Sequence, residues 1–213
     1  MEAGNRCFDM RVPEEINRRI VDHISDVNIT YSSHARENLL REGMSADLTI
    51  KLGSPMKEVL DYHRGEIENS DVLDRLGLEQ GNYFVFSSHR EENVDSREGL
   101  LRIVDCLEAV ASAYSLPIVF SVHPRTRKAI SAFGIKFSAL VRDYPPFGFL
   151  DYVKLQMSSR AVISDSGTIS EEASILGFSA INLRETHERH EALEESSVMM
   201  SGLDSGLLLE QLQ

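Results

Sequence analysis

The sequence predicts an α/β protein built on a doubly wound parallel sheet. Three observations carry this. Short apolar segments of strand length, among them YFVFS at residues 83–87, alternate with longer segments whose apolar residues recur at helical spacing. The strand-like segments are apolar throughout, as expected where helices cover both faces of a sheet. Ser, Gly, His and Arg collect just after these segments, at the edge where such folds bind ligands.

The elements follow in order. Residues 13–24 read as a helix, because Pro13 suits its first turn and Ile16, Ile20 and Ile24 share a face. Residues 27–31 form a strand, 33–42 a helix stopped by Gly43, 48–52 a strand closed by Gly53-Ser54-Pro55, and 56–63 a helix. The stretch 64–82 is polar, holds a short helix at 72–76, and is the candidate connection between domains. Then come a strand at 83–87, a long helix at 98–113 with Leu101, Val104, Leu107 and Ala111 inward, a strand at 117–122 and a helix at 125–133. A weak strand at 139–141 precedes a helix at 149–157, a strand at 161–163, a helix at 167–176 and a strand at 180–183. A further helix is expected from near Glu188, and Leu212-Gln213 sit just inside another.

Composition excludes several classes. No run of about 18 apolar residues is present to span a bilayer, and the amino terminus is no secretory signal, so no membrane partner is expected. The two cysteines, Cys7 and Cys106, lie far apart without metal-ligand spacing, which fits a reduced cytoplasmic setting. Lys and Arg total 22 against 34 Asp and Glu, a net charge of −12 that argues against a nucleic-acid partner. A local cluster of donors can still hold a small anion inside such a field.

Four strand ends in the second half carry candidate ligand groups. Ser164–Thr168 (SDSGT) joins a strand to a helix, where free amides and the helix dipole suit a phosphate. Gly167 permits close approach, Ser166 and Thr168 add hydroxyls, and the other reading is an ordinary N-cap. Glu171 and Glu172, expected in the second turn, tilt the balance toward a ligand, since a carboxylate there can accept both hydroxyls of a ribose. In HREEN, His89 and Arg90 can face a diphosphate, or the segment is a surface loop with Arg–Glu pairs. His123 and Arg125 follow another strand, where a turn begun by Pro124 explains them equally well. Arg184, His187, Arg189 and His190 follow the last strand; the two histidines lack an evident third ligand, so no metal is expected. Near the amino end, the helix dipole accounts for Glu14 and Glu15. Together the strand ends favour one pocket for a phosphorylated ligand.

EAGNR, PEEINRR, HREEN, SDSGTISEEASILG and LRETHERHEA, in this order over nearly the whole chain, resemble the non-hydrolysing UDP-N-acetylglucosamine 2-epimerase family. KLGSPM and SVMMSGL are similar to the branch that forms UDP-N-acetyl-L-fucosamine from UDP-2-acetamido-2,6-dideoxy-L-talose for capsule or O-antigen sugars. The resemblance implies a glycosyltransferase-B-like fold of doubly wound Rossmann-type sheets, with the ligand in the interdomain cleft. It implies that Ser166 and Gly167 bind the diphosphate, that Glu172 holds the ribose, and that His89 and Arg189 contact diphosphate and sugar. Phe147 and Phe149 fall where the uracil loop belongs, and Glu2 and Glu14 match acids near the reacting carbon. The implied chemistry is elimination of UDP and its re-addition, with the acids and His89 catalytic and with no cofactor.

Length departs from this pattern, since two Rossmann-like domains need roughly 300 residues. The resemblance therefore assigns residues 1–63 to the second half of an incomplete first domain and 64–213 to a UDP-binding domain lacking its last helices. An incomplete sheet should expose an edge and an apolar face. The chain alone is expected to have little epimerase activity, and a UDP-sugar-binding or regulatory remnant is the alternative, ahead of a glycosyltransferase. A homodimer is the usual family assembly. Glu91 stands where many relatives carry arginine, and His190 where proline is usual.

Overall fold

The computed structural model describes residues 2–10, 13–88, 91–94, 96–183 and 198–213. The chain divides into two compact units, whose described parts lie within residues 2–60 and 61–213.

In the first unit, α1 (Pro13–Ile24) is followed by β1 (Asn28–Thr30), α2 (Ser33–Arg41), a 3-10 turn (Ala46–Leu48) and β2 (Thr49–Lys51); α3 (Met56–Tyr62) runs across the division. β1 and β2 pair in parallel, with Ile29 opposite Ile50. Ser32 caps α2 by accepting the Ala35 amide at 3.0 Å. Ala35 and Leu39 are buried beneath it. The face of α1 shared by its isoleucines is not the one it buries. Ile16, Ile20 and Ile24 are exposed, whereas Glu15 and Asp22 on the other side are buried. Helical spacing identified a face; it could not say which neighbour that face meets. With Ile50 and Leu52 also exposed, the expected apolar surface is present.

The second unit holds a six-stranded, wholly parallel sheet. Its strands are β3 (Phe84–Ser87), β4 (Ile118–Ser121), β5 (Val141–Tyr144), β6 (Ala161–Ser164), β7 (Ala180–Asn182) and β8 (Val198–Met200), in the order β5-β4-β3-β6-β7-β8. Around them run α4 (Arg64–Glu68), α5 (Val72–Leu76), α6 (Glu91–Val94), α7 (Arg97–Tyr114), α8 (Pro124–Ala132), α9 (Phe149–Ser158), α10 (Ile169–Leu176) and α11 (Ser205–Gln211). One face of the sheet buries Phe84, Phe86, Phe120 and Ile163 against Ile103, Leu107 and Val110 of α7 and Leu208 of α11. The other buries Val85, Val119 and Val162 against Val72 of α5, Leu155 of α9 and Ile169 and Ala173 of α10. Alternate residues of β3 therefore feed opposite cores, which is why its sequence is apolar throughout.

Three expectations shift. The inner face of α7 is Leu100, Ile103, Cys106, Leu107, Val110 and Ala111, so Leu107 and Ala111 point inward as expected, while Leu101 is exposed and Val104 half-buried. The weak strand at 139–141 lies at Val141–Tyr144 instead, an edge strand whose half-exposed Arg142 and Asp143 hid it from an apolar criterion. The polar stretch after residue 63 is packed structure: α4 and α5 lie against α9, with Ile67 and Val72 buried. The helix expected near Glu188 falls outside the described residues.

Candidate functional site

The strand order reverses direction at the β3–β6 pair. Chain connections leave this pair toward opposite sides, so a crevice opens past its carboxyl ends. Ser87 and Ser164, the last residues of the two strands, are register partners there. Their hydroxyl oxygens are 2.8 Å apart, and the Tyr152 hydroxyl donates to the Ser87 hydroxyl at 3.0 Å. Burial, opposed by the bond to Ser87, pushes the Tyr152 phenol up to about 12, so it stays a neutral donor at physiological pH.

The Ser-Asp-Ser-Gly-Thr turn leaves β6 at this point. Asp165 is fully buried and accepts from the Ser88 hydroxyl at 2.7 Å and the Asn93 amide at 3.1 Å. The Ser166 amide donates to the Ser164 hydroxyl at 3.1 Å, and the Thr168 amide to the Ser166 hydroxyl at 3.3 Å. Thr168 is the N-cap of α10 but makes no side-chain cap bond. Its hydroxyl turns forward instead, donating to Glu172 Oε1 at 2.6 Å, while Gln156 Nε2 donates to Oε2 at 2.8 Å. The ordinary capping bond is thus absent at Thr168, and the turn is built around a carboxylate. Because α10 begins at Ile169, Glu171 and Glu172 stand in its first turn and not its second.

A cavity of about 320 Å³ opens beside this turn, lined by Ser87, Ser121, His123, Pro146, Phe147, Phe149, Tyr152 and Ser166. It contains the three expected residues Phe147, Phe149 and Ser166, with Gly167, Thr168 and Glu172 continuing from Ser166 along the chain. His123 is the N-cap of α8: its Nδ1 accepts the Arg125 amide at 3.3 Å, and Pro124 occupies the first turn. The turn begun by Pro124 is therefore present, as the start of α8, while the His123 ring also borders the cavity. Sequence reasoning missed Tyr152 and Gln156. The signal was available, since Phe149, Tyr152 and Gln156 recur at helical spacing along one face of α9.

The expected acids Glu2 and Glu14 belong to the first unit. Glu2 has a φ of 67° and accepts from the Asn5 amide at 3.4 Å. Its loop is held by a buried ionic network: Arg6 grips Glu42 through two bonds of 2.8 and 2.7 Å and meets Asp22 at 2.7 Å. Arg19 joins Glu15 to Glu42 at 2.8 and 3.2 Å, and Glu15 accepts the Cys7 amide at 2.9 Å. The structure separates the paired acids of α1, with Glu15 buried in the network and Glu14 exposed. Dipole contact in a first turn is too small an account of Glu15. His89, Arg90 and Arg189 lie outside the described residues, as do Arg184, His187 and His190. Among the described residues no group of three or more His, Cys, Asp or Glu could hold a metal, and no helix is long and apolar enough to cross a membrane.

Comparison with known proteins was made against this geometry. The family described as UDP-N-acetylglucosamine 2-epimerase matches residues 1–213. A curated UDP-N-acetylglucosamine 2-epimerase of Methanocaldococcus jannaschii is 32% identical over 226 residues, covering 100% of this chain and 60% of that protein. A solved UDP-N-acetylglucosamine 2-epimerase from Rickettsia bellii superposes with a TM-score of 0.90 at 47% identity, covering 100% of this chain and 56% of its own. The Methanocaldococcus jannaschii enzyme solved with UDP-GlcNAc and UDP gives 0.91 at 32% identity, covering 100% and 60%. The chain thus spans about three fifths of the length of these relatives. A family match along all its residues, on a parallel sheet shared with solved members, shows that this chain belongs to the UDP-N-acetylglucosamine 2-epimerase family.

Proposed function

We propose that the second unit binds a UDP-sugar at the carboxyl edge of β3, β4 and β6, and that the protein serves C2 epimerisation of a UDP-2-acetamido sugar. One observation carries the reading: an aromatic-walled cavity, a turn of hydroxyls at a helix start and a preset carboxylate adjoin one another at the switch point of the sheet. In this reading uracil lies against Phe147 and Phe149, the ribose diol donates to Glu172, and the diphosphate lies at Ser166, Gly167 and Thr168. His89, Arg90 and Arg189 supply the cationic contacts expected from the sequence.

The chemistry assigns work to each part. The C2 hydrogen of an amino sugar is only weakly acidic. Ionisation of the C1–O bond, its electrons leaving with UDP, makes C1 electron-poor and the C2 proton removable. A carboxylate, Glu2 or Glu14, takes that proton, and the C–H electrons form the C1=C2 bond of a glycal. Protonation of C2 from the other face and return of the UDP oxygen to C1 give the epimer, with no net oxidation. Donors fixed around the departing diphosphate stabilise it without reorganising, and the acids shuttle protons.

The finer assignment is to the branch forming UDP-N-acetyl-L-fucosamine, in the cytoplasm, for capsule or O-antigen precursors. A second reading is UDP-sugar binding without turnover by this chain alone, favoured because the described groups adjoining the cavity all belong to the second unit. Calorimetric titration with UDP, followed by NMR observation of solvent deuterium entering C2 of a UDP-2-acetamido sugar, separates the two. Binding with exchange supports an epimerase; binding without exchange supports the binding module. Absence of binding to folded protein refutes the site.

A further inference from the structure

We propose that Gln156 is a positioning residue that sets the Glu172 carboxylate for a vicinal diol and so makes the site selective for a ribonucleotide. The inference rests on the reading of the second unit as a UDP site and deepens it.

Gln156 is 1% exposed, on the face of α9 that also carries Tyr152. Its Nε2 donates to Glu172 Oε2, and this settles the orientation of the amide, because a carboxylate only accepts. Its Oε1 is buried and has no hydrogen-bond partner among the described residues. A buried orphan carbonyl is destabilising. An apolar side chain of similar length would fill the same space, beside Leu155, without that penalty. Packing therefore disfavours glutamine here, and what the amide supplies is the donor to Glu172.

The carboxylate has roughly four acceptor directions on its two oxygens. The Thr168 hydroxyl takes one on Oε1 and the Gln156 amide one on Oε2. With both oxygens pinned from the protein side, one direction on each remains for the two hydroxyls of a ribose. Without Gln156, Oε2 is released and the carboxylate can rotate about its last bond. A ligand lacking the diol would not register that change.

The experiment measures binding of UDP and of 2′,3′-dideoxyuridine diphosphate to the chain and to its Gln156→Met and Gln156→Leu variants, with unfolding midpoints recorded in parallel. The unaltered chain should prefer UDP. Both variants should lose roughly tenfold of that preference, the equivalent of one charge-assisted hydrogen bond, while binding the dideoxy ligand as the parent does. Their midpoints should equal or exceed the parent value, because the orphan oxygen is gone. A preference unchanged in the variants, including equal weakening toward both ligands, overturns the inference and leaves the UDP site standing. Variants that fail to fold make Gln156 a structural requirement and overturn it too. If the parent binds neither ligand, the site and the inference fall together.

Discussion

Gly4, in the EAGNR segment, is a sharp test of how the first unit is assembled. Its φ is +80°, and a Cβ built there would lie 2.1 Å from the Ala35 carbonyl oxygen and 2.7 Å from its carbon. Both are backbone atoms of α2, which cannot swing aside as a side chain can. Gly4 is also bonded on both sides: its amide donates to Asp22 Oδ2 at 3.0 Å, and its carbonyl accepts from the Asn38 amide at 3.0 Å. Gly53 provides the control, with a φ of +84° and nothing within 4 Å of its Cβ position. Gly53→Ala should cost about 1–2 kcal/mol, the left-handed backbone alone. Gly4→Ala adds overpacking of about 1–3 kcal/mol and the loss of two hydrogen bonds of about 1 kcal/mol each, for a total of about 4–7 kcal/mol with the backbone cost included. Hydrogen exchange followed by mass spectrometry across a urea series reads the units separately. Peptides covering β1 and α2 should lose protection at a urea concentration lower by at least about 1 M in Gly4→Ala than in Gly53→Ala, while peptides from β3 and β6 keep theirs. Equal midpoints for the two variants would refute the claim that this loop touches the α2 backbone.

Three other outcomes follow from buried polar groups. Arg6→Met should destabilise the first unit by about 3–5 kcal/mol, because Asp22 and Glu42 lose the cation that pairs them; a loss below 1 kcal/mol in the same urea series would contradict the network. The hydrogen bonds from Arg6, with its charge, hold the Glu42 carboxyl below its ordinary value of 4.5, so the folded state binds fewer protons than the unfolded chain. That contribution is complete above pH 4.5 and is lost as pH falls through the lower native value; Glu42→Gln should flatten the acid limb of first-unit stability, and an unchanged limb would exclude the pairing. Burial pushes the Cys106 thiol up to about 11, whereas Cys7 is half-buried; native protein should react once with a thiol reagent at neutral pH and twice in urea, with Cys106→Ser leaving the native reaction intact.

Sequence patterning located elements wherever one physical cause acted alone. Pro13 in a first turn and a run of helix formers place α1 over the expected Pro13–Ile24, and the apolar β3, β4 and β6 emerge because both faces of each strand are buried. It failed where tertiary context decides. α4 has five residues and a single buried apolar one, Ile67, too little for any period to register. β8 is a three-residue edge strand, recognisable only by its pairing with β7. In the candidate site, Ser166 and Thr168 drew notice because strand ends are where doubly wound sheets take ligands, whereas Phe147 and Phe149 entered only through the family resemblance. Tyr152 and Gln156 lie on a helix face that also packs the core, so their hydroxyl and amide looked incidental until the bonds to Ser87 and Glu172 were visible.

The two units manage buried charge differently, and this bears on how an acidic chain could accept a diphosphate. The first matches carboxylate with guanidinium, Arg6 and Arg19 against Glu15, Asp22 and Glu42. In the second, among the described residues, Glu172 is held by neutral donors, Thr168 and Gln156, and Asp165 accepts from two more, Ser88 and Asn93. Neutral donors fix a carboxylate without cancelling its charge, and the field of both acids adds to the burial that keeps the Tyr152 phenol protonated. The cavity wall among the described residues contains no arginine or lysine. An anion entering there meets hydroxyls and amides against a negative background, so favourable binding requires cations from beyond that wall. The proposed site draws them from HREEN and LRETHERHEA. On this argument Arg90→Ala and Arg189→Ala should each weaken UDP far more than uridine, and should make UDP affinity less sensitive to added salt, because the removed charge is the salt-sensitive part of the attraction. Equal weakening of both ligands would show that those arginines serve the nucleoside or the fold and not the diphosphate.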